Sequence, residues 1–239
     1  MSEPSRHTIA GTVLTMTVRV RTAHQHTAMF VVDADAAQRM IDYSGLRVCR
    51  FLGGRALVVL MLMRYEDTDL GQYYEYGTNV MVNPPGSDAS GLSALKSAGA
   101  FVHHLPVDQA FTLEAGRTIW GYPKVMADFT VRGADNPGDV RGADNPGDVR
   151  DGHRFGFDVR IDGRLAVSMD FKPGLPVPAA FTARPQVHST YSHLDGVTRE
   201  TPGERRMAGV RYRPGGVDSR LGDRPYAAER APLGWPSRA

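Results

Sequence analysis

Cysteine and lysine are the scarce residues of this 239-residue chain. Cys49 is the sole cysteine, which excludes an intrachain disulfide and any multi-thiolate metal site; set between Val48 and Arg50, it reads as a small core residue. Of the 28 basic residues only Lys96, Lys124 and Lys172 are lysines, so lysine is not the routine solubilising side chain here. Formal net charge is only +2, too little for a strong pull toward phosphate backbones or anionic lipid, and nucleic acid is not an expected partner. The longest apolar run, residues 56–63, is far too short to cross a bilayer, and the first six residues lack the basic-then-apolar pattern of a secretory leader. The expected location is the cytoplasm, with no membrane partner.

What is present is an ordinary globular composition, 41% hydrophobic and 23% charged, which suits a single domain over residues 1–239. Residues 12–20 alternate with the two-residue period of a half-buried strand, and residues 27–32, 46–52, 56–65, 73–82, 99–105, 125–131, 154–161 and 164–171 also read as strands. Gly53-Gly54 and Asp162-Gly163 supply turns, the second a strong two-residue hairpin signal. Asp33 or Asp35 is placed to cap a short helix through Ile41, and a second short helix is expected over residues 107–115, stopped by Gly116. The fold class expected is α+β: a mainly antiparallel, strongly curved β-sheet or barrel with a few short helices.

Two segments read as peripheral. Residues 132–140, Arg-Gly-Ala-Asp-Asn-Pro-Gly-Asp-Val, recur unchanged as residues 141–149, a duplicated surface loop at 132–150 whose Gly, Pro, Asp and Asn suit a solvent turn. From Arg199 to the end, nine arginines face five acids, which reads as a solvated basic segment or an oligomer contact.

The chemistry concentrates in Glu114-Ala115-Gly116-Arg117-Thr118-Ile119-Trp120-Gly121-Tyr122-Pro123-Lys124. Pro123 fixes the backbone immediately before a lysine that opens a strand, beside two large aromatics. A lone lysine next to rings is ordinarily a snorkelling surface residue. Held rigidly against Trp120, Tyr122 and Met126, however, its ammonium form is disfavoured by desolvation, and the neutral amine is the form that attacks a ketone carbonyl. Strand alternation places Tyr73, Glu75, Gly77 and Asn79 on one face, where Glu75 either lines a pocket or faces solvent. Arg117 either grips a substrate carboxylate or caps its helix. His24 and His26 lack a third ligand nearby, and no metal site is expected. Neither a phosphate-binding loop nor a Gly-x-Ser-x-Gly elbow is present.

Gly116-Arg117 followed by Gly121-Tyr122-Pro123-Lys124 resembles the signature around the Schiff-base lysine of acetoacetate decarboxylases. Leu70-Gly71-Gln72-Tyr73-Tyr74-Glu75-Tyr76-Gly77 resembles the family's Leu-Gly-x-Tyr-x-Glu-x-Gly stretch, and residues 221–227 resemble its C-terminal segment. The resemblance spans the chain from about Thr27 onward. It implies a lyase that decarboxylates a small β-keto acid through an iminium on Lys124, with Glu75 in the catalytic site and Arg117, Tyr122, Trp120 and Tyr73 binding substrate. It further implies a homo-oligomer and no metal or organic cofactor. The family's decarboxylases carry a second lysine where this chain has Val125, and a second acid near the position of Leu60. Those departures keep two alternatives open: an imine-dependent aldolase, dehydratase or cyclase on a larger keto acid, and a non-catalytic, barrel-like binding protein.

Overall fold

A computed structural model describes residues 5–133, 155–182 and 184–222. Its elements run β1 (Arg6–Ile9), β2 (Thr12–Thr15), β3 (Val20–Asp33), α1 (Ala34–Ile41), β4 (Arg55–Thr68), β5 (Tyr73–Val82), β6 (Gly99–Val107), α2 (Ala110–Trp120) and β7 (Lys124–Met126). There follow β8 (Asp128–Arg132), β9 (Phe155–Ile161), β10 (Arg164–Phe171), β11 (Leu175–Pro176), β12 (Gln186–Leu194), β13 (Val197–Arg205), β14 (Arg211–Tyr212) and β15 (Val217–Leu221). Among the described residues strands dominate, α1 and α2 are short, and neither is long and apolar enough to cross a membrane.

The chain divides into two compact units. The first takes in the residues up to Ala127 together with His188–Gly203. Its main sheet has the order β13-β12-β6-β5-β4-β3. The path from β3 through β6 is an antiparallel meander, while β12 and β7 both pair parallel to β6, at Ala100–Phe101 and at Leu105–Val107 respectively. Among the described residues the sheet is open, ending at β3 and β13, so it takes the curved-sheet form of the expectation and not the closed barrel. Along β4, whose sequence is a continuous apolar run, burial alternates: Ala56, Val58, Leu60 and Leu62 are buried and the residues between them only partly so. Asp33 caps α1, its Oδ1 accepting from the Ala36 amide at 2.8 Å.

Three local expectations are corrected. Residues 12–20 are not one strand; β2 ends at Thr15 and the long β3 begins at Val20. Residues 46–52 form only isolated bridges, Val48 to Val82, Arg50 to Ser90 and Phe51 to Arg55, though Cys49 is fully buried as a small core residue. Finally, α2 does not stop at Gly116 but runs to Trp120, and Gly121, with φ of 64°, is the left-handed cap whose amide donates to the Arg117 carbonyl.

The second unit takes in the described residues between Asp128 and Val187 and from Glu204 to Gly222. Its sheet has the order β15-β10-β9-β8, all antiparallel, and β11 pairs with β14. The β9–β10 hairpin turns at Asp162-Gly163, both with positive φ, as the two-residue turn requires. Phe157, Val159, Val167 and Met169 are buried beneath it. Most of the duplicated loop at 132–150, and the basic segment and C-terminal motif beyond Gly222, lie outside the described residues, whereas residues 199–222 of the basic segment carry most of β13 together with β14 and β15.

Candidate active site

Lys124 is the first residue of β7, and its backbone pairs with Leu105 at the end of β6. The side chain runs inward across α2 at Gly116, where a β-carbon would stand 2.6 Å from Lys124 Cδ and Cε. A glycine inside this helix therefore makes room for the lysine stem, which explains why Gly116 is not a stop signal. The side chain is only 3% exposed, and its amine ends 2.8 Å from Glu75 Oε2 and 2.9 Å from Thr112 Oγ1, with the Tyr73 ring centroid at 5.2 Å.

Glu75 reaches this point from the middle of β5. Across the β4–β5 register Glu75 faces Met63 and Tyr73 faces Tyr65, so these four share one face of the sheet. The Tyr65 and Tyr73 rings stack at 4.3 Å, and the Tyr65 hydroxyl donates to Glu75 Oε1 at 3.1 Å. Thr112, which accepts from the amine, is fully buried in the first turn of α2. Leu60 pairs with Thr78 and lies on the opposite face of β4. The position expected for a second acid is thus in the core and turned away from Glu75, and Tyr65 is the β4 residue that touches the carboxylate.

Around these groups lies an apolar cluster of Ile9, Leu14, Leu70, Tyr73 and Ala115, joined by Tyr65, Phe111, Ile119 and Trp120. Burial, with the negative charge of Glu75 adding to it, pushes the Tyr65 and Tyr73 hydroxyls well above the ordinary phenol range. Tyr122 is pushed up to about 12, chiefly by burial, against a hydrogen bond with Thr201 that lowers it. These tyrosines are therefore neutral donors at any physiological pH. Placing the ammonium and carboxylate of Lys124 and Glu75 in such surroundings costs several kcal/mol per ion before their mutual attraction is counted. The cost is comparable with what burying two or three leucines contributes, at about 1.5–3 kcal/mol each.

The residues expected at the site do not all converge on the amine. Lys124, Glu75 and Tyr73 do. Trp120 packs in the apolar cluster, with its ring 6.1 Å from that of Tyr122 and its carbonyl accepting from Ser192 Oγ at 2.7 Å. Met126 is 47% exposed and does not shield the lysine. Arg117 is exposed on α2, and its guanidinium donates to the Lys124 carbonyl at 3.1 Å, pinning β7 to the helix. Sequence reading missed Thr112 and Tyr65. Thr112 carried a usable signal, since it precedes Gly116 by four residues and so shares its helix face; Tyr65 required the β4–β5 register. A separate cleft of about 410 Å³, lined by Gln38, Arg47, Arg50 and Asn83 among others, involves none of the residues around Lys124.

A family model described as acetoacetate decarboxylase (ADC) matches residues 4–233. No curated protein matches the chain. Among solved structures, an acetoacetate decarboxylase aligns over 91% of this chain and 80% of its own at 16% identity, with a TM-score of 0.56. An acetoacetate decarboxylase-like enzyme from Sphingomonas wittichii RW1 aligns over 85% and 79% at 16% identity and a TM-score of 0.52. The enduracididine biosynthesis enzyme MppR, complexed with the condensation product of pyruvate and imidazole 4-carboxaldehyde, aligns over 88% and 78% at 19% identity and a TM-score of 0.51. At such identities these structures speak to the fold.

Proposed function

The chain belongs to the acetoacetate decarboxylase family, and from that premise we propose that it is a lyase that binds a small keto acid as a Schiff base on Lys124 and releases carbon dioxide. The observation that carries this reading is the buried contact of Lys124 Nζ with Glu75 at 2.8 Å, roofed by the Tyr73 ring. Proton transfer from the ammonium to the adjacent carboxylate yields the neutral amine that adds to a ketone. The resulting iminium withdraws the electron pair left when the carbon–carboxylate bond breaks, and it supplies the electron sink with no cofactor or metal required. Glu75 is the acid–base group, Tyr73 and Tyr122 exclude water, and the carboxylate departs from apolar surroundings that favour neutral carbon dioxide.

A second reading is favoured by Val125, half-buried beside Lys124 where the decarboxylases carry a second lysine, and by the absence of an acid on the Glu75-facing stretch of β4 opposite residues 73–77. In it the same iminium loses a proton, and the carbanion adds to an aldehyde or undergoes dehydration, as in an imine-dependent aldolase, dehydratase or cyclase acting on a larger keto acid. Incubation with acetoacetate, and separately with pyruvate plus an aromatic aldehyde, distinguishes the readings. The first expects carbon dioxide from acetoacetate, lost in Lys124→Arg; a condensation product without carbon dioxide supports the second, and neither supports a non-catalytic binding protein. Homo-oligomerisation and a cytoplasmic location remain part of the proposal, the former tested by light scattering of the purified chain.

A further inference from the structure

The two oxygens of Glu75 have different partners. Oε2 faces Lys124 Nζ at 2.8 Å, and Oε1 accepts from the Tyr65 hydroxyl at 3.1 Å. A carboxylate only accepts, so the second bond runs from phenol to carboxylate. Met63, paired directly with Glu75 across the β4–β5 register, offers only a thioether; Tyr65, paired with Tyr73, is the diagonal neighbour long enough to bring a donor to the carboxylate. Its ring lies against that of Tyr73, with centroids 4.3 Å apart and planes 24° from parallel, so packing fixes the hydroxyl before any substrate arrives. Burial and the charge of Glu75 push the Tyr65 hydroxyl well above the ordinary phenol range, and it keeps its proton throughout.

We infer that Tyr65 is a positioning residue for imine formation: by occupying Glu75 Oε1 it confines the working proton to Oε2, the oxygen that faces the lysine amine. The inference rests on the Schiff-base reading and assigns its proton transfers to a single oxygen. One proton leaves Nζ for Oε2, and the freed lone pair forms the nitrogen–carbon bond while the carbonyl π pair moves to the substrate oxygen. That oxygen takes the proton from Oε2 and then a second, relayed from nitrogen by the same Oε2, and it departs as water while the nitrogen lone pair closes the iminium. Of the three ammonium protons, two leave on the water and one stays on the iminium nitrogen. Glu75 begins and ends as a carboxylate. Oε1 remains an acceptor at every stage, first as one oxygen of the carboxylate and then as the carbonyl oxygen of the acid, so the bond from Tyr65 persists and the carboxyl does not turn. Without that bond the carboxyl rotates about Cγ–Cδ and carries its proton on an oxygen turned away from the amine.

The test is borohydride trapping on Lys124 in the full chain across a range of pyruvate or acetoacetate concentrations, with reductant in excess so that imine formation limits the rate, followed by intact mass. Tyr65→Phe keeps the ring stack and removes the hydroxyl. Its maximal trapping rate is expected to fall about 10- to 100-fold, the scale of one hydrogen bond to a charged group. The half-saturating ketone concentration is expected to stay within about twofold, because the hydroxyl acts on Glu75 and not on the ground-state substrate. Tyr65→Leu, which removes the ring as well, is expected to be at least as slow. A Tyr65→Phe variant that traps at the parental rate would assign Tyr65 to packing and overturn the inference, a result that stands even if Tyr65→Leu fails to fold. A loss carried wholly by a higher half-saturating concentration would overturn it too, by placing the hydroxyl on the substrate. No adduct in the unmodified chain would remove the Schiff-base reading and the inference with it, whereas an adduct formed equally fast in Tyr65→Phe would remove the inference alone.

Discussion

Replacing a glycine inside a helix with alanine ordinarily stabilises it by about 1 kcal/mol. At Gly116 the new β-carbon would stand 2.6 Å from Lys124 Cδ and Cε and 3.3 Å from Nζ. Ordinary contact between carbons needs roughly 3.5–4 Å, so the lysine stem must retreat by about 1 Å. Overpacking of this kind costs about 1–3 kcal/mol, which leaves a net destabilisation of about 0–2 kcal/mol after the helix gain. For a chain of this size each kcal/mol moves the melting temperature by about 2–4 °C, so Gly116→Ala is expected to melt at most some 8 °C lower. The catalytic effect is larger. A displacement near 1 Å at the reacting atom costs about 100-fold, so turnover and imine trapping should both fall by that order while the fold persists. Calorimetry and a trapping time course measure the two together. A variant that melts higher and traps at the parental rate would refute the packing of Lys124 across α2.

Glu75→Gln removes the partner of a buried ammonium, and loss of one member of such a pair costs about 3–5 kcal/mol; urea denaturation should register the loss alongside abolished turnover. Alkaline pH should destabilise the fold. Burial raises folded Tyr122 to about 12 while an unfolded tyrosine ionises near ~10, so the unfolded chain loses its proton first. The contribution is fully present below pH ~10 and declines at about 1.4 kcal/mol per pH unit as pH rises toward the folded value. Tyr65 and Tyr73 act in the same direction, and denaturation series with tyrosinate absorbance at rising pH provide the check. Deletion of residues 141–149, one copy of the repeat, changes loop-closure entropy by only about 0.6 kcal/mol per halving of length; melting temperature and turnover should both be nearly unchanged.

Much of this architecture was legible because its causes are local. A continuous apolar, β-branched run marks β4, the Asp162-Gly163 pair marks the β9–β10 turn, and Asp33 marks the start of α1. The candidate site was legible in part for the same reason, since Lys124 follows a rigid Tyr-Pro and Glu75 sits on one face of an alternating strand. What stayed hidden depends on contacts distant in sequence. Gly116 reads as a helix stop until the lysine stem that crosses it is seen. Tyr65 becomes a site residue only through the antiparallel register that brings it to Tyr73, ten residues from Glu75 along the chain. The parallel addition of β12 to β6 joins residues some ninety positions apart, and no periodicity announces it. Arg117 read either as a grip on a substrate carboxylate or as a cap of its own helix, and its contact is with the backbone carbonyl of Lys124 in β7.

The account stands or falls on which lysine carries the substrate. Only Lys96, Lys124 and Lys172 are available as side-chain amines, so reduction with borohydride in the presence of acetoacetate or pyruvate, followed by peptide mapping, gives an unambiguous assignment. The expected result is one reduced adduct on the peptide containing Lys124, absent from Lys124→Arg because arginine stays protonated and forms no imine, and unchanged in Lys96→Arg and Lys172→Arg. An adduct on Lys96 or Lys172, or turnover that survives in Lys124→Arg, would contradict it.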